Sequence, residues 1–154
     1  MARGAPSRAR GANRPPRAIG RRVILDTNVL LRTLDRDPGA QGLAARARVM
    51  TARDSGERLT VLSMTVLEAA YVLQSRSAGY GWDRDAVAAA VEAIVEDPAF
   101  DVEHATALRA ATASYKTRSI DLHDCLLSAI ATDRGSTVLS FDDDLRRLGT
   151  GEQP

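Results

Sequence analysis

Four carboxylates fall where a fold could bring them together. Asp26 directly follows the apolar run Val23-Ile24-Leu25, and Glu68 comes shortly after a second run, Leu59-Thr60-Val61-Leu62. Asp124 lies in the first turn of a helix expected to begin near Asp121, and Asp142 follows the run Thr137-Val138-Leu139-Ser140. If those runs are parallel strands, their C-terminal ends and the helix N-termini that follow gather at one sheet edge, where ligands bind. Helix dipoles offset the repulsion among such carboxylates by only about 0.3–1 kcal/mol each. Several ionised groups within a few ångströms therefore need a cation, or one of them must hold a proton. Hard oxygen donors favour Mg2+ or Mn2+. Zinc is disfavoured, because His104 and His123 stand 19 positions apart and Cys125 is the only cysteine. Magnesium keeps several waters when bound, which suits activation of water against a phosphodiester. The acids by themselves suggest metal-dependent phosphoryl transfer.

Each acid taken alone has a simpler account as a helix cap. Asp26 could cap a helix starting near Asn28, and Asp142 could cap a short terminal helix. Thr65 and Glu68 fit a capping box, with the glutamate returning a bond to the cap backbone. Asp121 and Asp124 place the second acid at the third helical position, with Ile120 and Cys125 spaced for a hydrophobic staple. Capping explains the acids one by one. It does not explain why so many should share one edge.

The elements that would position them alternate between strand and helix. After the strand at 23–25, helical spacing resumes at Val29, Leu30 and Leu34, and Asp37-Pro38-Gly39 is a turn. Residues 41–54 read as a helix with Leu43, Ala47 and Met50 on one stripe, and 66–75 as another with Val66, Ala69, Ala70 and Leu73 along one side. Further helices are expected at 84–96, 104–115, 122–133 and 143–148, with a short strand at Phe100-Asp101-Val102. This alternation predicts an α/β fold in three layers, a central and mostly parallel sheet flanked by helices.

A chain of 154 residues is the size of one domain. With 44% apolar and 27% charged residues it is neither a mostly disordered chain nor a disulfide scaffold. A single cysteine permits no internal disulfide. No apolar run reaches the roughly 18 residues of a membrane-spanning helix, and the expected compartment is the cytoplasm. Residues 1–22 hold seven arginines and no acid. Removing those seven from 21 basic residues leaves 14 against 20 acids over residues 23–154, a net charge of −6. The division expected is a disordered basic arm at 1–21, a folded domain at 22–149 and a short tail at 150–154. The arm lacks the apolar stretch of a secretory signal. It could hold polyanions through phosphate contacts; a solvated tail, or a start codon placed too early, is the preferred reading.

Taken together, VILDTNVLLR (23–32), TVLSMTVLEAAYVLQ (60–74), DLHDCLLSAIA (121–131) and TVLSFDDDL (137–145) resemble a PIN domain of the VapC type, over about residues 22–149. That family is one of metal-dependent ribonucleases, and many VapC-type members are toxins held inactive by a co-expressed antitoxin. The resemblance implies a PIN-like fold and an acidic quartet at Asp26, Glu68, Asp124 and Asp142. It places Asp144 at a frequent accessory acid, and Asn28 and Ser140 at polar positions that orient the carboxylates. The N-terminal extension departs from the family, whose members commonly start at the first strand.

The reaction so implied is endonucleolytic hydrolysis of RNA. Asp26, Glu68 and Asp124 would hold one Mg2+, with Mn2+ as a substitute, and Asp142 with Asp144 would complete that shell or recruit a second ion. RNA affinity would come from Arg32, Arg36, Lys116 and Arg118, each also readable as a solvated surface charge. Few aromatics are available for base stacking, and Trp82 and Tyr80, in a Gly-rich loop, read first as packing residues. With four carboxylates and a metal, His123 is not needed, and Cys125 is expected to face inward and stay inert. Tyr71, Leu73 and the apolar faces at 43–50 and 66–73 read equally as core packing or as surplus to it, and the resemblance implies a homodimer and an antitoxin groove there. Two other readings compete. A catalytically silent PIN-like module that binds RNA or protein is disfavoured by the complete quartet. A phosphatase of the aspartyl-phosphate type would want Asp-x-Asp after the first strand, where this chain has Asp26-Thr27-Asn28.

Overall fold

The computed structural model describes residues 22–154, so the expected basic arm lies outside the described residues. The run at 23–25 forms a single parallel bridge, Ile24 to Thr60. Hydrogen bonds from the Leu25 N–H to the Thr60 carbonyl (2.9 Å) and from the Thr60 N–H to the Val23 carbonyl (2.8 Å) hold it. Helices α1 (Thr27–Leu34) and α2 (Gly39–Ser55) follow, then strand β1 (Leu59–Val61). Helices α3 (Ser63–Gln74) and α4 (Arg84–Glu96) cross over to β2 (Phe100–Val102), which pairs parallel with β1 in the register Leu59↔Phe100, Thr60↔Asp101, Val61↔Val102. Parallel neighbours require such long connections. Helices α5 (Ala105–Thr117) and α6 (Leu122–Asp133) lead to β3 (Val138–Leu139), α7 (Asp143–Arg147) and β4 (Gly151–Glu152), and β3 pairs parallel with β4. The alternation and the parallel sense agree with the expected α/β class. Strand β2 keeps its expected bounds, the runs at 23–25, 59–62 and 137–140 pair over fewer residues than expected, and the strands fall into two parallel pairs among the described residues.

The core forms where the apolar periodicity places it on α3 and α4. Val66, Ala69, Ala70 and Leu73 are buried on α3, and Val87, Val91, Ile94 and Val95 on α4. Each large side chain so buried contributes about 1.5–3 kcal/mol. Leu73 therefore belongs to the core and is no surplus, while Tyr71 on the other side of α3 is exposed.

On α2 the expected stripe faces the wrong way. Leu43 is 61% and Met50 58% exposed, while the buried positions are Gly42, Ala45, Val49 and Ala52. Small residues win the inner face because α2 turns tightly off α1. A Cβ on Gly42 would sit 2.4 Å from the Pro38 Cβ and 3.1 Å from the Arg32 carbonyl oxygen. The expected tail also needs correction, since Thr150 is buried and Gly151–Glu152 is strand. Gly151 lies so close to α7 that an added Cβ would stand 2.6 Å from the Arg146 nitrogen. Among the described residues, no helix is long and apolar enough to cross a membrane.

Candidate active site

Local capping chemistry places most of the acids. Asp26 is the N-cap of α1, and its carboxylate accepts from the Asn28 N–H at 2.8 Å. Asp121 caps α6 by accepting from the Asp124 N–H at 2.9 Å. Ile120 and Cys125 are both buried beside it, as a staple pair would be. Asp142 caps α7 through the Asp144 N–H at 2.9 Å, and its own N–H donates to the Ser140 hydroxyl at 2.9 Å. Each cap fixes its carboxylate at the start of a helix, Asp26 on α1 and Asp142 on α7.

The capping box expected at Thr65 and Glu68 does not form. Helix α3 begins earlier, at Ser63 with Leu62 as N-cap, so Thr65 is buried inside the first turn and Glu68 stands in the second. Glu68 instead accepts a 2.6 Å hydrogen bond from the Thr27 hydroxyl. The start of α3 is served by Glu103, at the end of β2, which accepts from the Ser63 N–H at 3.0 Å and the Ser63 hydroxyl at 2.8 Å. Those bonds hold the Glu103 carboxyl below its ordinary range. The signal for Glu103 was present, since it too directly follows a strand.

Carboxylate oxygens of Asp124, Asp142 and Asp144 all lie within 4.8 Å of one another, as do ligand atoms of Asp121, His123 and Asp124. The Asp124 side chain is only 13% exposed. Burial raises its carboxyl above the ordinary value, and the charges of Asp121 and Asp142 raise it further, while the hydrogen bond from His123 works the other way. Hard oxygen donors crowded at uncomfortable range, one of them desolvated, fit a divalent cation of the Mg2+ class. Asp26 and Glu68 fall outside that 4.8 Å group. They are joined to each other through Thr27, and α3 packs against both α1 and α6.

The PIN domain family model matches residues 23–151. The chain belongs to the PIN domain family. A VapC ribonuclease of Aquifex aeolicus (strain VF5) is 35% identical over 95 residues, which span 61% of this chain and 68% of that relative.

Within this PIN domain the four candidate cations differ in what they already hold. Arg32 pairs with Asp35 at 3.1 Å, Lys116 pairs with Glu92 at 3.3 Å, and Arg118 donates to the Arg147 carbonyl at 2.9 Å. Arg36 is exposed and has no such side-chain partner among the described residues. Arg118 therefore braces α7, the helix that carries Asp144. Arg147 pairs with Asp144 at 2.6 Å and competes with any cation for that carboxylate. His123 reaches Asp124 at 3.3 Å but is largely exposed. The Asn28 bond to Asp26 comes from its backbone.

Two residues that sequence reasoning passed over support the site from behind. Thr27 anchors Glu68. Arg84 donates to the Tyr115 and Ile120 carbonyls at 2.6 and 2.9 Å, and its guanidinium lies 3.9 Å from the centre of the Tyr115 ring. It thereby fixes the loop that delivers Asp121 and Asp124. A half-buried arginine serving two carbonyls carries no local sequence signature.

Proposed function

We propose that this PIN domain is a divalent-metal-dependent endoribonuclease and the toxin half of a toxin–antitoxin pair. The observation that carries the reading is the convergence of Asp124, Asp142 and Asp144 at the N-termini of α6 and α7, in a chain similar to a VapC ribonuclease. Mg2+ would be held by Asp124 and Asp142, with Asp26 and Glu68 completing the quartet and Asp144 as accessory; Mn2+ is the natural substitute. When bound, such an ion supplies positive charge against the phosphodiester and acidifies water.

The chain's own residues do the rest. Asp121 caps α6 and so fixes the turn on which Asp124 stands. The Ser140 hydroxyl sets the turn that projects Asp142. Thr27 occupies one oxygen of Glu68, leaving the other to orient an attacking water. Arg36, and Arg32 where it can leave Asp35, would meet RNA phosphates. Leu43 and Met50 on α2, and Met64 and Tyr71 on α3, are exposed apolar surface that a second copy of the chain and an antitoxin segment would cover. The reading carries with it a cytoplasmic workplace, where RNA and antitoxin are made.

The test is cleavage of labelled total RNA by the purified chain with Mg2+, with Mn2+ and with EDTA, beside an Asp26→Ala/Asp124→Ala double variant. Metal-dependent cleavage that the double variant loses is the expected result. RNA bound with equal affinity by both proteins but never cut would replace the nuclease with a silent binding module.

A further inference from the structure

A cleft of about 630 Å³ opens between the C-terminal end of α1 and the loop joining α3 to α4. Arg32, Arg36 and Asp37 line it on one side, and Tyr80, Trp82 and Asp83 on the other. Its walls are braced. Asp35, only 8% exposed, accepts from the Tyr80 hydroxyl at 2.7 Å and from Arg32 at 3.1 Å, and Arg46 donates to its carbonyl. The Tyr80 and Trp82 rings meet edge to face at 6.4 Å, and the backbone N–H of Trp82 is bonded to the Leu73 carbonyl at 2.8 Å. Gly79 and Gly81, at φ 88° and 62°, let the loop turn back over the cleft.

Part of the cleft's polar surface is already bonded within the protein. Asp35 is used by Tyr80 and Arg32, and one oxygen of Asp83 caps α4 through the Ala86 N–H at 2.8 Å. The Arg36 guanidinium, the Asp37 carboxylate and the second oxygen of Asp83 have no such partner among the described residues. One cation beside two acceptors and an aromatic edge suits a nucleotide, which brings a phosphate, N–H donors on its base and a flat ring. A bare phosphate would be repelled by the acids. Single-stranded RNA is read in this manner, with bases splayed onto aromatic side chains and hydrogen-bonded along their edges. The position also fits, since the eight residues of α1 at roughly 1.5 Å each set the cleft about 12 Å from Asp26.

We propose that this cleft seats one unstacked nucleotide of the RNA, with its phosphate on Arg36 and its base against Trp82 and Asp37. The inference rests on the ribonuclease reading for its substrate, but its test does not depend on cleavage. Trp82 is the only tryptophan in the chain, so emission excited at the red edge, where tyrosine does not absorb, reports on the cleft alone. The full chain is titrated with a short single-stranded RNA in EDTA, following Trp82 emission and, in parallel, the anisotropy of labelled RNA. A saturable change in emission that tracks RNA binding is expected, and Arg36→Glu should weaken that binding by about tenfold or more. An oligonucleotide with one abasic position is expected to lose part of the emission change. Arg36 is exposed, so an unfolding midpoint equal to that of the parent certifies that variant. RNA that binds without moving Trp82 emission would overturn the proposal, whether the cleft then serves a peptide or nothing. An unchanged affinity in Arg36→Glu, or no binding at all, would overturn it too. Cleavage with a silent Trp82 removes the seat and keeps the nuclease; an emission change with no cleavage under any metal keeps the seat and removes the nuclease.

Discussion

The hydroxyl of Thr27 donates to the Glu68 carboxylate at 2.6 Å, tying the first residue of α1 to the second turn of α3. Thr27 is buried, so its hydroxyl has little else to bond. Thr27→Val keeps the shape and removes the donor. We expect a stability loss of about 1 kcal/mol by chemical denaturation, the size of an ordinary hydrogen bond. Metal-dependent cleavage should fall through kcat, because Glu68 is then free to swing. Thr27→Ser should restore both. A full return of stability in Thr27→Ser without any return of kcat would show that the hydroxyl only packs.

Asp124 gives a pH dependence with a definite sign. Its carboxyl is raised by burial first and then by Asp121 and Asp142. The folded state therefore holds that proton more tightly than the unfolded chain. The resulting stabilisation is present at low pH and lost as pH rises through the folded value. In metal-free buffer at neutral pH, Asp124→Asn should be more stable than the parent, and the gap should narrow as pH falls toward the ordinary value of 3.8. Mg2+ should stabilise the parent by mass action and leave the variant unmoved. Thermal melts across pH, with and without Mg2+, check both statements, and a gap that widens toward acid would refute the first.

What could be read from the sequence follows the range of the interaction. Asp26, Asp121 and Asp142 were legible as caps because capping depends on the next two or three residues, and all three form. Glu68 was legible as an acid after a strand, but the box assigned to it was not there, because its partner Thr27 is 41 positions away. On α2, apolar size pointed to Leu43 and Met50, whereas the close approach at Gly42 required small residues inside. Strand β4 was missed because two residues at the end of the chain show no periodicity, and their pairing with β3 is decided in three dimensions.

Glu103 shows the opposite linkage to Asp124. Its carboxyl is lowered by the bonds it accepts from the Ser63 backbone and hydroxyl. A depressed carboxyl contributes stability above its unfolded value and loses it as pH falls through the folded one. Glu103→Ala should cost about 0.5–2 kcal/mol at neutral pH, the range for losing a helix cap. The difference from the parent should shrink below the ordinary value of 4.5. Urea midpoints measured at neutral and acid pH would expose the idea if the difference were the same at both.

Arg147 and a divalent cation want the same carboxylate. The Arg147–Asp144 pair is 2.6 Å long and largely solvent-facing, and exposed pairs contribute about 0.2–1 kcal/mol. Arg147→Met should therefore tighten Mg2+ binding by up to about fivefold, the equivalent of that energy. Calorimetric titration of Mg2+ into both proteins checks it. Weaker binding in the variant would mean that the arginine holds Asp144 in position for the metal.

Gly151 links the last strand to the acids by a chain of named contacts. A Cβ there would lie 2.6 Å from the Arg146 nitrogen and 2.7 Å from the Leu145 carbonyl carbon, both backbone atoms of the helix that Asp142 caps. Gly151→Ala must push β4 away from α7, at a cost of about 1–3 kcal/mol, as for other overpacked sites. Strand β4 and its neighbour hold β3 through the bonds from the Val138 N–H to the Thr150 carbonyl (2.8 Å) and from the Ser140 N–H to the Glu152 carbonyl (2.9 Å). The Ser140 hydroxyl in turn accepts from the Asp142 N–H. Displacing β4 should thus loosen the turn that aims Asp142, and Mg2+ affinity should fall together with amide protection at Val138 and Ser140. Hydrogen exchange and Mg2+ titration on the same protein decide the matter. If protection at those amides falls while Mg2+ affinity holds, the strand supports the fold without aiming the acid.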